Sequence, residues 1–223
     1  MQKTQKLLQG HCNQITATAC SYDKRWVVTA DTGDDSMLVV WDSHSGIPVR
    51  TFLNPHPNGV RCMDLSKDNQ YIVTIGAETE DQTVSLWDWT NEQETGPIVS
   101  MQIRAGLSQS NPMHWIKFNP DDPFEIATNS GKRLLFLSWS LGVSKFEYYS
   151  PSISKGDYNS KGSYNAAYTK TVFIPGTEMA VTGTESGDIL VFDRSLIIEG
   201  IGEQNEKRII KIVTLNQKQT PIT

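Results

Sequence analysis

Short apolar runs punctuated by turn residues make up most of the chain, and no stretch keeps a sustained helical period with caps. Ile15–Cys20 reads as a strand, Ser21-Tyr22-Asp23-Lys24 as a turn, and residues 26–30 as a second strand. The same order returns at Val60–Leu65, Ser66-Lys67-Asp68-Asn69 and residues 71–75. It returns again at Trp115–Phe118, Asn119-Pro120-Asp121-Asp122 and residues 125–128. A fourth copy runs through residues 171–174, Pro175-Gly176 and residues 179–182. Each unit then closes on an apolar run that ends in a bulky ring. These rings are Trp41, Trp87, Trp139 and Phe192. They recur about every fifty residues, slightly above the roughly 40–45 of one four-stranded blade. Four unrelated hairpins have no reason to share one order of features. The pattern therefore predicts an all-β chain built from a repeated four-stranded sheet, with residues 208–215 as a final strand.

Two of the closing rings stand in the dipeptides Trp41-Asp42 and Trp87-Asp88, and Gly10-His11 precedes the first by about thirty residues. On these residues the chain resembles the WD-repeat family, which implies a β-propeller. The resemblance also implies that a His, a Ser or Thr, an Asp and the Trp form a buried hydrogen-bond chain in each blade. Carried over position by position, the first blade offers His11, Thr29, Asp35 and Trp41, and the second His56, Thr74, Asp81 and Trp87. An indole NH only donates, a carboxylate only accepts and a neutral imidazole does both, so the four can satisfy one another away from water. A metal-ligand or catalytic-base role for His11 or His56 is disfavoured, because neither unit has a second His or Cys at ligand spacing. The later units depart from the pattern. Arg133 stands six residues before Trp139, Phe192 cannot donate, and Ser186 takes the place of the Asp. Trp139 and Phe192 are thus expected to close their blades by packing. The expected blades span about 7–52, 53–103, 104–150 and 169–215, with an insertion at 151–168.

A narrower resemblance rests on Leu8-Gln9-Gly10-His11-Cys12-Asn13, Arg25-Trp26, Thr29-Ala30-Asp31 and Gly46-Ile47-Pro48-Val49. It continues through Tyr71-Ile72-Val73-Thr74-Ile75, Phe118-Asn119-Pro120 and Gly187-Asp188-Ile189-Leu190-Val191. On these strings the chain is similar to the cilia- and flagella-associated WD-repeat proteins of the calmodulin- and spoke-associated complex at the base of a radial spoke. That resemblance implies a non-enzymatic scaffold in the axonemal cytoskeleton of a cilium or flagellum. It also implies a hetero-complex with other spoke-base subunits and with calmodulin, further blades, and a calcium-binding tail. A seven-bladed ring needs roughly 300 residues. The four units are accordingly expected to form an open arc, a fragment or partial gene model with exposed strand edges. Asp31, Asp34 and Asp35 lack the spacing of a calcium loop.

Composition trims the alternatives. The 223 residues carry 20 Lys+Arg against 25 Asp+Glu, and a net charge of -5 disfavours nucleic acid or anionic membrane as the partner. With 38% hydrophobic and 20% charged residues the chain can build a core. Cys12, Cys20 and Cys62 form no C-x-x-C, which fits a reducing compartment, and no metal or cofactor is expected. Ser130-Gly131-Lys132 is not a phosphate loop, and Glu185-Ser186-Gly187 is not a nucleophile elbow. The pairs Asp34-Asp35 and Glu80-Asp81 read as turn residues rather than an acid/base dyad. Between 151 and 168, Lys155, Tyr158, Lys161, Tyr164 and Tyr168 lie among Ser, Gly and Asn. That segment reads as a mobile insertion, or more sharply as a docking arm for a protein partner. The competing functional readings are a generic cytosolic WD-repeat adaptor, such as a ubiquitin-ligase substrate receptor, and a propeller enzyme.

Overall fold

A computed structural model describes residues 5–104, 111–151, 167–194, 206–215 and 221–222. Among these, sixteen strands and no helix are present, arranged as four antiparallel four-stranded sheets in which each strand pairs with its neighbours in sequence. The chain divides into two compact units, residues 1–112 with 142–145 and residues 113–141 with 146–223.

The first unit holds two sheets. One comprises β1 (Ile15–Cys20), β2 (Trp26–Asp31), β3 (Met37–Asp42) and β4 (Pro48–Leu53). The other comprises β5 (Val60–Leu65), β6 (Tyr71–Gly76), β7 (Gln82–Asp88) and β8 (Val99–Ile103). Matching side-chain chemistry sets both first turns. The Ser21 hydroxyl donates to Asp23 at 2.6 Å and accepts the Trp26 amide at 2.8 Å. Ser66 repeats this with Asp68 and with the Tyr71 amide. Lys24 and Asn69 close the turns with φ of 62° and 65°, so the two hairpins start in the same register.

Strand alternation then decides what is buried. Val28, Ala30, Leu38, Val40 and Phe52 share one face of the first sheet and form a core with Val60, Met63, Leu65, Ile72, Trp87 and Trp89 of the second. The Phe52 and Trp87 rings lie 4.9 Å apart, a contact worth about 1 kcal/mol beyond its buried area. The passage between the two sheets is tight at Gly59. Its φ is 80°, it bridges Thr32, and a Cβ there would strike the Asp31 carbonyl oxygen and lie 2.5 Å from the Thr32 Cα.

The second unit repeats the plan. Its first sheet has β9 (Trp115–Phe118), β10 (Glu125–Asn129), β11 (Leu134–Ser138) and β12 (Glu147–Tyr149). Its second has β13 (Tyr168–Phe173), β14 (Ala180–Thr184), β15 (Asp188–Asp193) and β16 (Arg208–Thr214). Ala127, Leu134 and Phe136 pack against Phe173, Ala180, Leu190 and Phe192. The Phe136 and Phe192 rings meet edge to face at 5.8 Å.

Most strands match the sequence expectation to within one or two residues, and the largest difference is at β13. β13 starts at Tyr168, three residues earlier than the apolar run suggested, because a register irregularity between Tyr168 and Thr171 keeps the strand paired. Tyr168 is half-buried against the core and donates its amide to the Gly131 carbonyl at 2.9 Å, so it is a strand residue and no part of an exposed arm.

Candidate functional site

The first sheet contains a complete polar relay. β3 carries Trp41, whose indole NH donates to the Thr29 hydroxyl of β2 at 2.7 Å. Thr29 meets His11 Nε2 at 2.6 Å, and His11 Nδ1 meets the Asp31 carboxylate at 2.7 Å. With the Thr29 proton directed to Nε2, Nδ1 carries the hydrogen that Asp31 accepts, and every member is satisfied. The other Asp31 oxygen accepts the Met37 amide at 2.6 Å, which ties the β2–β3 turn to the relay. Asp31 is fully buried, and Gly10 packs on the Trp41 ring 3.2 Å from where a Cβ would sit.

The acid is therefore Asp31, and the expectation of Asp35 is corrected. Asp35 lies exposed on the turn with φ 55°, a conformation an Asp in a turn tolerates. Alternation supplies the reason. Residues 29 and 31 of one strand share a face, whereas residue 35 follows the turn.

The second sheet has the same core with a different end. Trp87 donates to Thr74 at 2.9 Å, and His56 Nε2 meets Thr74 at 2.8 Å. The position two residues after that Thr is Gly76, so the acid of the first sheet has no counterpart there. Asp81, the expected acid, sits exposed at the turn with φ 40°. The Glu78 carboxylate folds into the space a side chain at 76 would fill, and Gln82 donates to the Gly76 carbonyl at 3.0 Å. Without a facing acid, burial governs His56 and pushes its pKa down to about 4, which keeps the imidazole neutral.

The second unit replaces the relay with bonds between its sheets. Trp139 spends its indole NH on the Pro123 carbonyl at 2.9 Å, and fully buried Phe192 contributes packing alone. Asn129, fully buried at the end of β10, accepts from the Thr171 hydroxyl at 2.9 Å and donates to the Thr169 carbonyl at 3.1 Å. Thr171 also meets Thr182 at 2.9 Å. A charged cluster sits apart from these. The fully buried Lys207 ammonium lies 3.0 Å from Glu125, which also accepts from Arg194 at 2.8 Å. The Phe136 and Phe173 rings flank the same ammonium at 6.0 and 5.7 Å. The Tyr149 hydroxyl accepts the Lys207 amide at 2.7 Å, and burial pushes that phenol up to about 12. These blades were expected to rely on packing, and they carry a buried polar network as well.

Asp31 and Asn129 had a readable signal, since each lies on the buried face of its second strand. The contacts of Lys207 gave none, because they join residues distant in sequence. Lys155, Tyr158, Lys161 and Tyr164 lie outside the described residues. Among the described residues no group of three His, Cys, Asp or Glu side chains is placed to hold a metal ion, and no helix is long and apolar enough to cross a membrane. Cys62 is a partly buried thiol that burial pushes up to about 12, whereas Cys12 and Cys20 are exposed.

Comparison with known proteins places this architecture. The β-propeller domain of Cps50 (Swd1) from Myceliophteria thermophila aligns with a TM-score of 0.70 at 16% identity, covering 95% of this chain and 58% of that one. The fold is thus a WD-type β-propeller fold. Cilia- and flagella-associated protein 251 of Tetrahymena thermophila is 43% identical over 219 residues, which is 96% of this chain and 21% of that protein. The protein of the same name in Chlamydomonas reinhardtii is 36% identical over 237 residues, 99% of this chain and 28% of its own length. The chain therefore spans about a quarter of these relatives. The family model described as the CFAP251 N-terminal domain matches residues 1–223, and the chain belongs to that family of cilia- and flagella-associated proteins.

Proposed function

We propose that this chain is a non-enzymatic scaffold of the ciliary or flagellar axoneme, supporting the assembly or anchoring of radial spokes and thereby motility. The observation that carries this reading is where the reactive side chains go. His11, His56 and Asp31 are spent inside the sheets on structural bonds, and Asn129, Glu125 and Lys207 on bonds between them. What such sheets offer outward is fixed turns and strand edges, the working parts of an interaction platform.

The partners follow from the resemblance. They are the subunits of the calmodulin- and spoke-associated complex at the spoke base, and calmodulin. Residues 155–164, with Lys155, Tyr158, Lys161 and Tyr164, are proposed as a docking arm because Tyr among small polar residues makes adaptable contacts.

The test is to tag the protein in a ciliated cell and to delete it. Axonemal signal together with missing or unanchored spokes is the expected result. Diffuse cytosolic signal with intact spokes sinks the proposal and favours a cytosolic adaptor. Deleting residues 155–164 should reduce incorporation while circular dichroism stays β-type, and unchanged incorporation removes the arm from the account.

A further inference from the structure

Asn58-Gly59 is the one Asn-Gly dipeptide in the chain, and it lies in the connection from β4 to β5. The β-turn there runs from His56 to Gly59. Pro57 fixes φ at its second position, and the Gly59 amide closes it by donating to the His56 carbonyl at 3.0 Å. Pro57 and Asn58 are exposed, whereas Gly59 is buried. The fold demands glycine at this point, because φ is 80° and a Cβ would lie 2.5 Å from the Thr32 Cα.

The same glycine makes its neighbour reactive. With no side chain at 59, nothing shields the Gly59 nitrogen from the Asn58 carboxamide carbon, and a five-membered ring can close between them. Water balances the chemistry. Hydroxide takes the Gly59 amide proton, and the nitrogen attacks Asn58 Cγ. The Cγ–Nδ2 bond breaks, and ammonia leaves with a proton returned by solvent. Water then opens the succinimide by breaking one of its two C–N bonds. The product is aspartate or, when the main-chain bond is the one broken, isoaspartate. The folded geometry withholds the reacting peptide. Besides the bond from the Gly59 amide to His56, the Asn58 carbonyl accepts the Gly33 amide at 3.2 Å and the Gly59 carbonyl accepts the Ala77 amide at 2.9 Å. Gly59 also bridges Thr32. Removing the amide proton forfeits the turn bond, and rotating the peptide to face Cγ breaks its neighbours.

We infer that Asn58 is a site of spontaneous deamidation latched by the fold, which consumes water and reacts when the passage between the first two sheets opens. Isoaspartate lengthens the main chain by one methylene at a point where a single Cβ has no room. A converted chain therefore cannot restore the Thr32–Gly59 bridge in its original geometry. The modification records openings of the first unit and makes them permanent. Opening is set by bonds within that unit and not by the protein's place in the cell, so the inference stands or falls separately from the axonemal proposal.

Peptide mapping by mass spectrometry of the whole 223-residue chain, aged in mildly alkaline buffer, tests this. Conversion at Asn58 should be slower by about tenfold or more in the folded chain than in the same chain unfolded in guanidinium chloride, because only the open fraction reacts. Asp31→Ala, which loosens the strand end beside the Thr32–Gly59 bridge, should speed conversion severalfold while circular dichroism stays β-type. Guanidinium added to the wild-type chain below its unfolding midpoint should do the same. Asn58→Gln, whose longer side chain closes a ring far less readily, should fold normally and stop the reaction. Isoaspartate methyltransferase labelling should report the product. Aged wild-type chains enriched in it should melt at a lower temperature than fresh ones, whereas aged Asn58→Gln chains should melt unchanged. Equal rates in folded and unfolded chains overturn the inference, as does absent conversion in the unfolded chain or an unchanged melt of converted chains.

Discussion

Lowering the pH from 7 to 5 should weaken the first unit through one side chain, His56. Burial takes its pKa from 6.5 to about 4 in the folded state. The unfolded chain binds a proton as the pH falls through 6.5, and the folded chain refuses it until about 4. Stability is therefore complete above 6.5 and is lost as the pH drops through this window. At about 1.4 kcal/mol per pKa unit the full loss is about 3 kcal/mol, of which about 2 kcal/mol is gone at pH 5. Urea denaturation followed by tryptophan fluorescence reads this directly. For a slope of about 2 kcal/mol/M the midpoint should fall by about 1 M between pH 7 and pH 5. His56→Gln lowers the midpoint at pH 7 by loosening the bond to Thr74, but its further fall towards pH 5 should be smaller by that same 1 M. Other titrating groups act alike in both chains and cancel in the comparison. If the two chains lose equal stability between pH 7 and pH 5, burial of a neutral His56 is not what governs its titration.

Three further outcomes follow from the geometry. Asp31→Ala should cost about 2–3 kcal/mol in urea denaturation, since it strips acceptors from His11 and from the Met37 amide, while Asp35→Ala should stay within about 0.5 kcal/mol of wild type. Gly59→Ala should destabilise by about 2 kcal/mol or more on a thermal melt, because the new Cβ meets the Asp31–Thr32 backbone and φ is 80°. Lys207→Met should cost about 3 kcal/mol by removing one of the two cations on Glu125, which is left with Arg194 and the Asn119 amide. The double variant Lys207→Met/Glu125→Gln should recover much of it, and a double-mutant cycle measures the coupling.

Much of the architecture could be read from the amino acids because each sheet is announced by local chemistry. Ser21-x-Asp23 and Ser66-x-Asp68 build the same turn from side chains two residues apart, and the apolar runs before Trp41 and Trp87 are too short for a helix. The fourth strands were harder to see. β4 buries little beyond Phe52, and β12 is three residues long, so neither shows an alternating face. The relay was half legible. His11, Thr29 and Trp41 sit where the family pattern puts them, whereas the shared spacing of Asp35 and Asp81 before Trp41 and Trp87 pointed to the wrong carboxylates. Strand alternation from Thr29 points to Asp31 and, from Thr74, to Gly76. The Lys207 cluster was invisible because its energetics depend on Glu125 and Arg194, which only the folded sheets bring together.

A cryo-EM map of native axonemal doublets from an organism carrying this protein would decide whether it is a sheet-built scaffold at the base of radial spokes. Density at the spoke base should accept the four-stranded sheets built from β1–β8 and β9–β16, with bulky rings at 41, 87, 139 and 192 closing successive sheets. A map in which that density is helical, or in which the chain is recovered wholly in the soluble fraction with spokes intact, contradicts it.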